Sequence, residues 1–143
     1  MACGLSIKKD HLDRFKALFA QVCERGLTPQ QMARVTLTDG QLHANDVSVQ
    51  TAKSIEEAGP WGQGFEEPLF EGSFKIKSVR TMGTDHQHAR YQVQVGNREV
   101  TAVHFNAGEG VRLQGSTIDM TYRLNVNRWR GAESLQLIAD EVA

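Results

Sequence analysis

Cysteine is nearly missing: Cys3 and Cys23 are the two in 143 residues. That excludes a disulfide-stapled scaffold, and without an export signal both are expected to stay reduced as small core residues. No run of about 18 apolar residues occurs, so no transmembrane helix is expected. The N-terminus also lacks the basic-then-apolar order of a signal peptide, which makes the cytoplasm the expected location. No serine or cysteine has an evident histidine partner, and the scattered carboxylates form no paired motif, so no catalytic residue can be named. The glycines of Gly59-Pro60-Trp61-Gly62-Gln63-Gly64 have the spacing of no nucleotide fingerprint, and no Lys-Ser or Lys-Thr follows them. An excess of charge of either sign is missing too, the net being -1.

What is present is a globular composition, 40% hydrophobic and 23% charged, sufficient to bury a core. The charge is unevenly placed. From Gly72 to Ala132 nine basic residues (Lys75, Lys77, Arg80, Arg90, Arg98, Arg112, Arg123, Arg128 and Arg130) face four acidic ones (Asp85, Glu99, Glu109 and Asp119), which gives +5 and leaves -6 for the flanks. A positive segment in a neutral chain is what a local phosphate-binding surface would leave. A solvated barrel surface would carry outward charge as well.

Leu12, Phe15, Leu18, Phe19, Val22 and Cys23 share one face at helical spacing, with Asp10 as the expected N-cap and Gly26 as the stop. Ala2 to Ile7 reads as a short buried strand, and Ala33 to Thr38 alternates as a strand would before the Asp39-Gly40 turn signal. A second helix is expected from about Asp46 to Ala58, with Val49, Ala52 and Ile55 on its buried face. The Gly- and Pro-rich stretch 59–68 then marks a boundary, with Trp61 and Phe65 as plugs of an ordered linker, dividing the chain into 1–60 and 61–143.

Beyond it the pattern is all strand. Phe74, Ile76 and Val79 alternate, as do Tyr91, Val93 and Val95; Val100 to Phe105 follow, then Ile118, Met120, Tyr122, Leu124 and Val126, and finally Leu135 and Leu137. Gly96-Asn97 is a hairpin dipeptide and Gly131 punctuates the last turn. Five antiparallel strands in about seventy residues match an oligonucleotide-binding (OB) type β-barrel, with a small sandwich as the rival, so the fold class is α+β.

In such a barrel the loop between strands four and five rims the binding face, and Arg128-Trp129-Arg130 falls there. Arginines neutralise phosphates, and an exposed indole is a stacking platform for bases. A buried Trp129 plugging the barrel end is the competing reading. Lys75, Lys77, Arg80 and Arg90 are further nucleic-acid candidates on strands one and two. In Asp85-His86-Gln87-His88 the pair His86 and His88 evokes a metal motif, but three or four ligands are needed and no other His or Cys is near. A turn carrying solvated histidines is the plain reading, and the functional one is that this turn joins the first two strands and its histidines touch nucleic acid; no metal site is assigned.

Gly59-Pro60-Trp61-Gly62-Gln63-Gly64-Phe65 with Pro68-Leu69-Phe70 resembles the barrel-entry signature of the RecJ family of single-strand-specific DNA exonucleases. Tyr122 to Gly131 with Ser134-Leu135-Gln136-Leu137-Ile138 resembles that family's ending, and Ala2-Cys3-Gly4-Leu5-Ser6-Ile7 its DHH-associated domain, with Cys3 where alanine is usual. Glu66 departs from the usual proline. The resemblance implies a DHH-associated remnant in 1–60, and in 61–143 an OB domain that binds single-stranded DNA. It also implies a parent enzyme that degrades single-stranded DNA from the 5′ end with manganese or magnesium, in recombination and repair. The chain begins past the family's Gly-Gly-His motif, so the metal-holding DHH domain is expected upstream, leaving this chain with no cofactor and inactive alone. Single-stranded DNA, single-stranded-DNA-binding protein and the missing catalytic core are the implied partners, with no membrane. A docking module that braces that core or takes the acidic tail of single-stranded-DNA-binding protein is the alternative function.

Overall fold

The alternating stretches become five strands in the computed structural model, which describes residues 4–33, 35–83 and 87–143. They are β1 (Phe70–Met82), β2 (His88–Val95), β3 (Arg98–His104), β4 (Thr117–Trp129) and β5 (Ala132–Val142), closed into a barrel in the order β1-β2-β3-β5-β4. Four of the ladders are antiparallel, but β3 runs parallel to β5, with Thr101 beside Gln136 and Val103 beside Ile138. The expected all-antiparallel barrel is therefore corrected to a mixed one. Register shifts at Ile76/Ser78 and Thr121/Tyr122 let the long strands bend round the barrel.

The inward positions supply the core. Tyr91, Tyr122, Ile76, Ile118, Leu137 and Val93 are fully buried. The Tyr122 ring meets Phe74 edge-on at 5.4 Å between centroids and lies 6.1 Å from Phe70. Gly72 makes this packing feasible: a Cβ there would stand 2.7 Å from the Phe74 ring. The Tyr91 hydroxyl accepts from the Arg112 backbone N–H at 3.1 Å, tying the 105–116 connection to the core.

The chain divides into a compact unit of residues 1–36 and another of 37–143. Residues 37–60 thus pack with the barrel, whereas the composition break had set the boundary near 60. The reason is local. Helix α3 (Val49–Ala58), capped by the Ser48 hydroxyl on the Thr51 N–H, buries Ala52 and half-buries Val49 and Ile55 against the barrel core. Arg98 of β3 also donates to the carbonyls of Ala44 and Val47.

In the first unit a short 3-10 turn (Lys9–His11) leads into α1 (Leu12–Gly26), followed by α2 (Pro29–Met32) with a Thr28–Gln31 capping box. Asp10 lies within the turn and is not the cap of α1. Phe15 and Phe19 stack at 5.8 Å, yet the apolar face is largely exposed at Leu18, Phe19 and Val22. The strand expected at Ala2 to Ile7 is not seen in residues 4–7, and its first two residues, Ala2 and Cys3, lie outside the described set. The described part of Ala33 to Thr38 is likewise without a ladder, with Val35 and Leu37 exposed.

Candidate nucleic-acid interface

Alternation puts His88, Arg90, Gln92 and Gln94 of β2 and Thr101 of β3 on the outer side of the barrel, Val103 sharing that parity but being buried, and the ladders align them in rows. One row runs Ser78, Gln92, Thr101, Gln136 and Asn125, with Gln92 Nε2 donating to Thr101 Oγ1 at 3.0 Å. These are uncharged donors and acceptors. The neighbouring row is Arg80, Arg90, Val103, Ile138 and Arg123. Arg123 is engaged by Glu67 and Asp140. Arg80 and Arg90 stand directly opposite each other, exposed, and no described carboxylate pairs with either. Facing like charges disfavour a strand pair, and here no described carboxylate offsets them.

At the β4–β5 hairpin Trp129 is 68% exposed, which rules out the plug reading. It shares the parity of Asn125 and Asn127 and so belongs to the outer surface. Arg130 and Gly131 both have positive φ (51° and 80°), as a two-residue type I′ turn requires. Asn, Asp or Gly normally occupies the first of these positions, because a long side chain there is disfavoured. Arg130 accepts that strain and lies 5.7 Å from the centre of the Trp129 ring.

Arg128 does not project as a free phosphate ligand. Its guanidinium grips both carboxylate oxygens of Glu56 on α3, at 3.0 and 2.6 Å, and reaches Glu133 at 3.4 Å, while Lys53 holds the other Glu133 oxygen at 2.5 Å. The hydrogen bond from Arg128 holds the Glu56 carboxyl below its usual range, and Lys53 chiefly does the same for Glu133. Arg128 in turn is held charged above its ordinary value by Glu56. This network fixes the hairpin to α3. Sequence reasoning missed Glu56, Lys53 and Glu133, since the partners of Arg128 lie 72 and 5 residues away and no local pattern links them.

Depressed carboxyl values mean that the clamp is present above pH 4.5 and is lost as pH falls through the lowered folded-state values. Glu56→Gln should therefore melt below wild type at pH 7, with the gap closing towards pH 3. A gap that stays constant across that range would show that the ionised pair is not its source.

Lys75 and Lys77 are exposed on β1, Lys75 opposite Gln94 and Lys77 at the bulge. His86 lies outside the described residues. His88 opens β2, and its Nδ1 accepts from the Asn106 backbone N–H at 3.0 Å. His104 points inward beside Ala89, and burial lowers its pKa. Among the described residues no group of three or more His, Cys, Asp or Glu could hold a metal ion, and no helix is long and apolar enough to cross a membrane. A cavity of about 340 Å³ sits elsewhere, walled by Glu71, Asp119 and Glu141, a lining that repels phosphate.

The closed mixed barrel, with a polar and cationic outer face and an aromatic hairpin at its rim, defines an OB domain. The RecJ OB domain family matches residues 38–141, and the chain belongs to that family. The single-stranded-DNA-specific exonuclease RecJ of Haemophilus influenzae is 35% identical over 99% of this chain, and that of Bacillus subtilis 22% over 100%. The chain spans 25% and 19% of those relatives. The crystal structure of RecJ in complex with Mn2+ from Thermus thermophilus superposes with a TM-score of 0.74 at 20% identity, over 98% of this chain and 20% of that one.

Proposed function

We propose that this chain is the non-catalytic, single-stranded-DNA-binding portion of a RecJ-type 5′→3′ exonuclease acting in recombination and repair. The observation that carries the reading is the Trp129-Arg130 hairpin, an exposed indole beside a cation held in a strained turn. Strain kept in a residue type that the turn disfavours is a mark of function. Arg80 and Arg90 supply further cations on the same barrel, and the amide and hydroxyl row lies between.

The test is a titration of a fluorescent oligothymidylate at several salt concentrations. Affinity should be weak and fall with salt. Arg80→Ala/Arg90→Ala should flatten the slope by about 0.7 per lost phosphate contact, hence by about 1.4. With manganese added, the purified chain should release no nucleotides. Absence of DNA binding together with capture of an acidic-hydrophobic peptide would replace this reading with the docking one.

A further inference from the structure

Phe105 follows β3 directly and is 52% exposed. Continuing the β2–β3 register sets it opposite His88, and the two rings meet edge-on at 5.4 Å. Two backbone features fix its orientation. Asn106 adopts a positive φ of 56° and donates its N–H to His88 Nδ1, and Gly108 N–H reaches the Gln87 carbonyl at 3.3 Å. Gly83 packs against the same imidazole, where an added Cβ would stand 3.2 Å from Cδ2. An isolated surface phenylalanine is ordinary. This one meets edge-on a histidine that the Asn106 N–H and Gly83 hold from two sides, and about half of its surface stays open to solvent.

Its neighbours give that open surface a meaning. One row further along the barrel come Arg80 and Arg90 without described counter-ions, beside the buried Val103 and the half-buried Ile138, then the Gln92–Thr101 row, and Trp129 stands at the far end. In a parallel β3–β5 ladder, where Thr101 lies beside Gln136, the hairpin after Trp129 falls near the start of β3 and Phe105 at its end. About eight residues of strand separate them, roughly 26 Å at 3.3 Å per residue. An aromatic ring at each end of a face carrying cations and amides is the arrangement a flexible polyanion with π-faced bases would use.

We infer that Phe105, braced by His88, is a second base-stacking platform, so that a single strand crosses the β2–β3 face between Trp129 and Phe105. The inference rests on the DNA-binding reading above and adds a residue and a path to it. Stacking is sequence-tolerant, so the expected ligand is single-stranded DNA without base preference.

Fluorescent oligothymidylates of 4 and 12 nucleotides, titrated into wild type, Phe105→Ala, Phe105→Tyr and Trp129→Ala, separate the possibilities. Phe105→Ala should weaken the 12-mer roughly 5- to 150-fold, the range one stacked base contributes, with an unchanged salt slope. Phe105→Tyr should bind within about twofold of wild type, since it keeps the ring. The 4-mer is too short to span both rings, so its loss should be much smaller. An unchanged melting temperature would show that the effect lies in the site. If the 12-mer binds Phe105→Ala as it binds wild type while Trp129→Ala weakens it, the second platform is overturned and the DNA-binding reading stands. If wild type binds neither length, both fall.

Discussion

Tyr122→Ala should remove about 3–5 kcal/mol of stability, the range for emptying a buried aromatic site. The ring is 1% exposed and fills the space between Phe70 and Phe74. Gly72 leaves room on the adjoining strand, and alanine at 122 would leave a void that neither neighbour can close without breaking the β1–β4 ladder. For a domain with about 5–15 kcal/mol in total, this is a large share. Urea unfolding should show the loss as a lower midpoint at constant slope. Tyr122→Phe keeps the ring and should shift the midpoint far less. Burial also pushes the Tyr122 hydroxyl up to about 12. The unfolded chain ionises near 10, so this part of the stability is complete below that pH and lost as pH rises towards 12. Tyr122→Phe should not show that alkaline loss. A midpoint for Tyr122→Ala equal to wild type would mean that the ring is not the keystone of this core.

Trp129→Ala should cost about 1–3 kcal/mol of DNA affinity at every salt concentration, leaving the salt slope unchanged because no charge is removed. The exposure of the indole makes the second half of the prediction firm: melting temperature should barely move, as for other exposed substitutions that keep stability within about 0.5 kcal/mol. Parallel titration and thermal melting separate the two effects. A folded Trp129→Ala variant with wild-type affinity would remove the hairpin from the site and make docking the better account.

The strands were legible because burial on one face imposes a period of two, visible from Ile118 through Val126 without any knowledge of partners. Pairing was less legible. That β3 joins β5 in parallel depends on contacts across 35 residues, such as Thr101 with Gln136, and no local pattern encodes it. The alternation at Ala33 to Thr38 resembled a strand, but its apolar residues Val35 and Leu37 face solvent. For the site, Trp129 and Arg130 were legible from turn chemistry and residue type. Arg128 read as their equal, but its partner Glu56 becomes adjacent only when α3 folds onto the barrel end. Phe105 was absorbed into the core run Val100 to Phe105, since its exposure follows from where β3 stops.

Closure of the barrel also governs how this domain can associate. Each long strand spends its hydrogen bonds on two neighbours, β1 pairing with β4 through Lys75 and with β2 from there to Met82. Beside the start of β1, Leu69 N–H donates to the Asp39 carboxylate and Glu71 N–H to the Gly40 carbonyl, and Gln41 bridges Glu71. Past the bulge, residues 78–82 pair with β2 alone among the described strands, so that stretch keeps an edge that could template an added strand. Away from that edge, a visiting molecule has to be recognised by side chains projecting from the barrel wall, as a phosphate-and-base polymer would be.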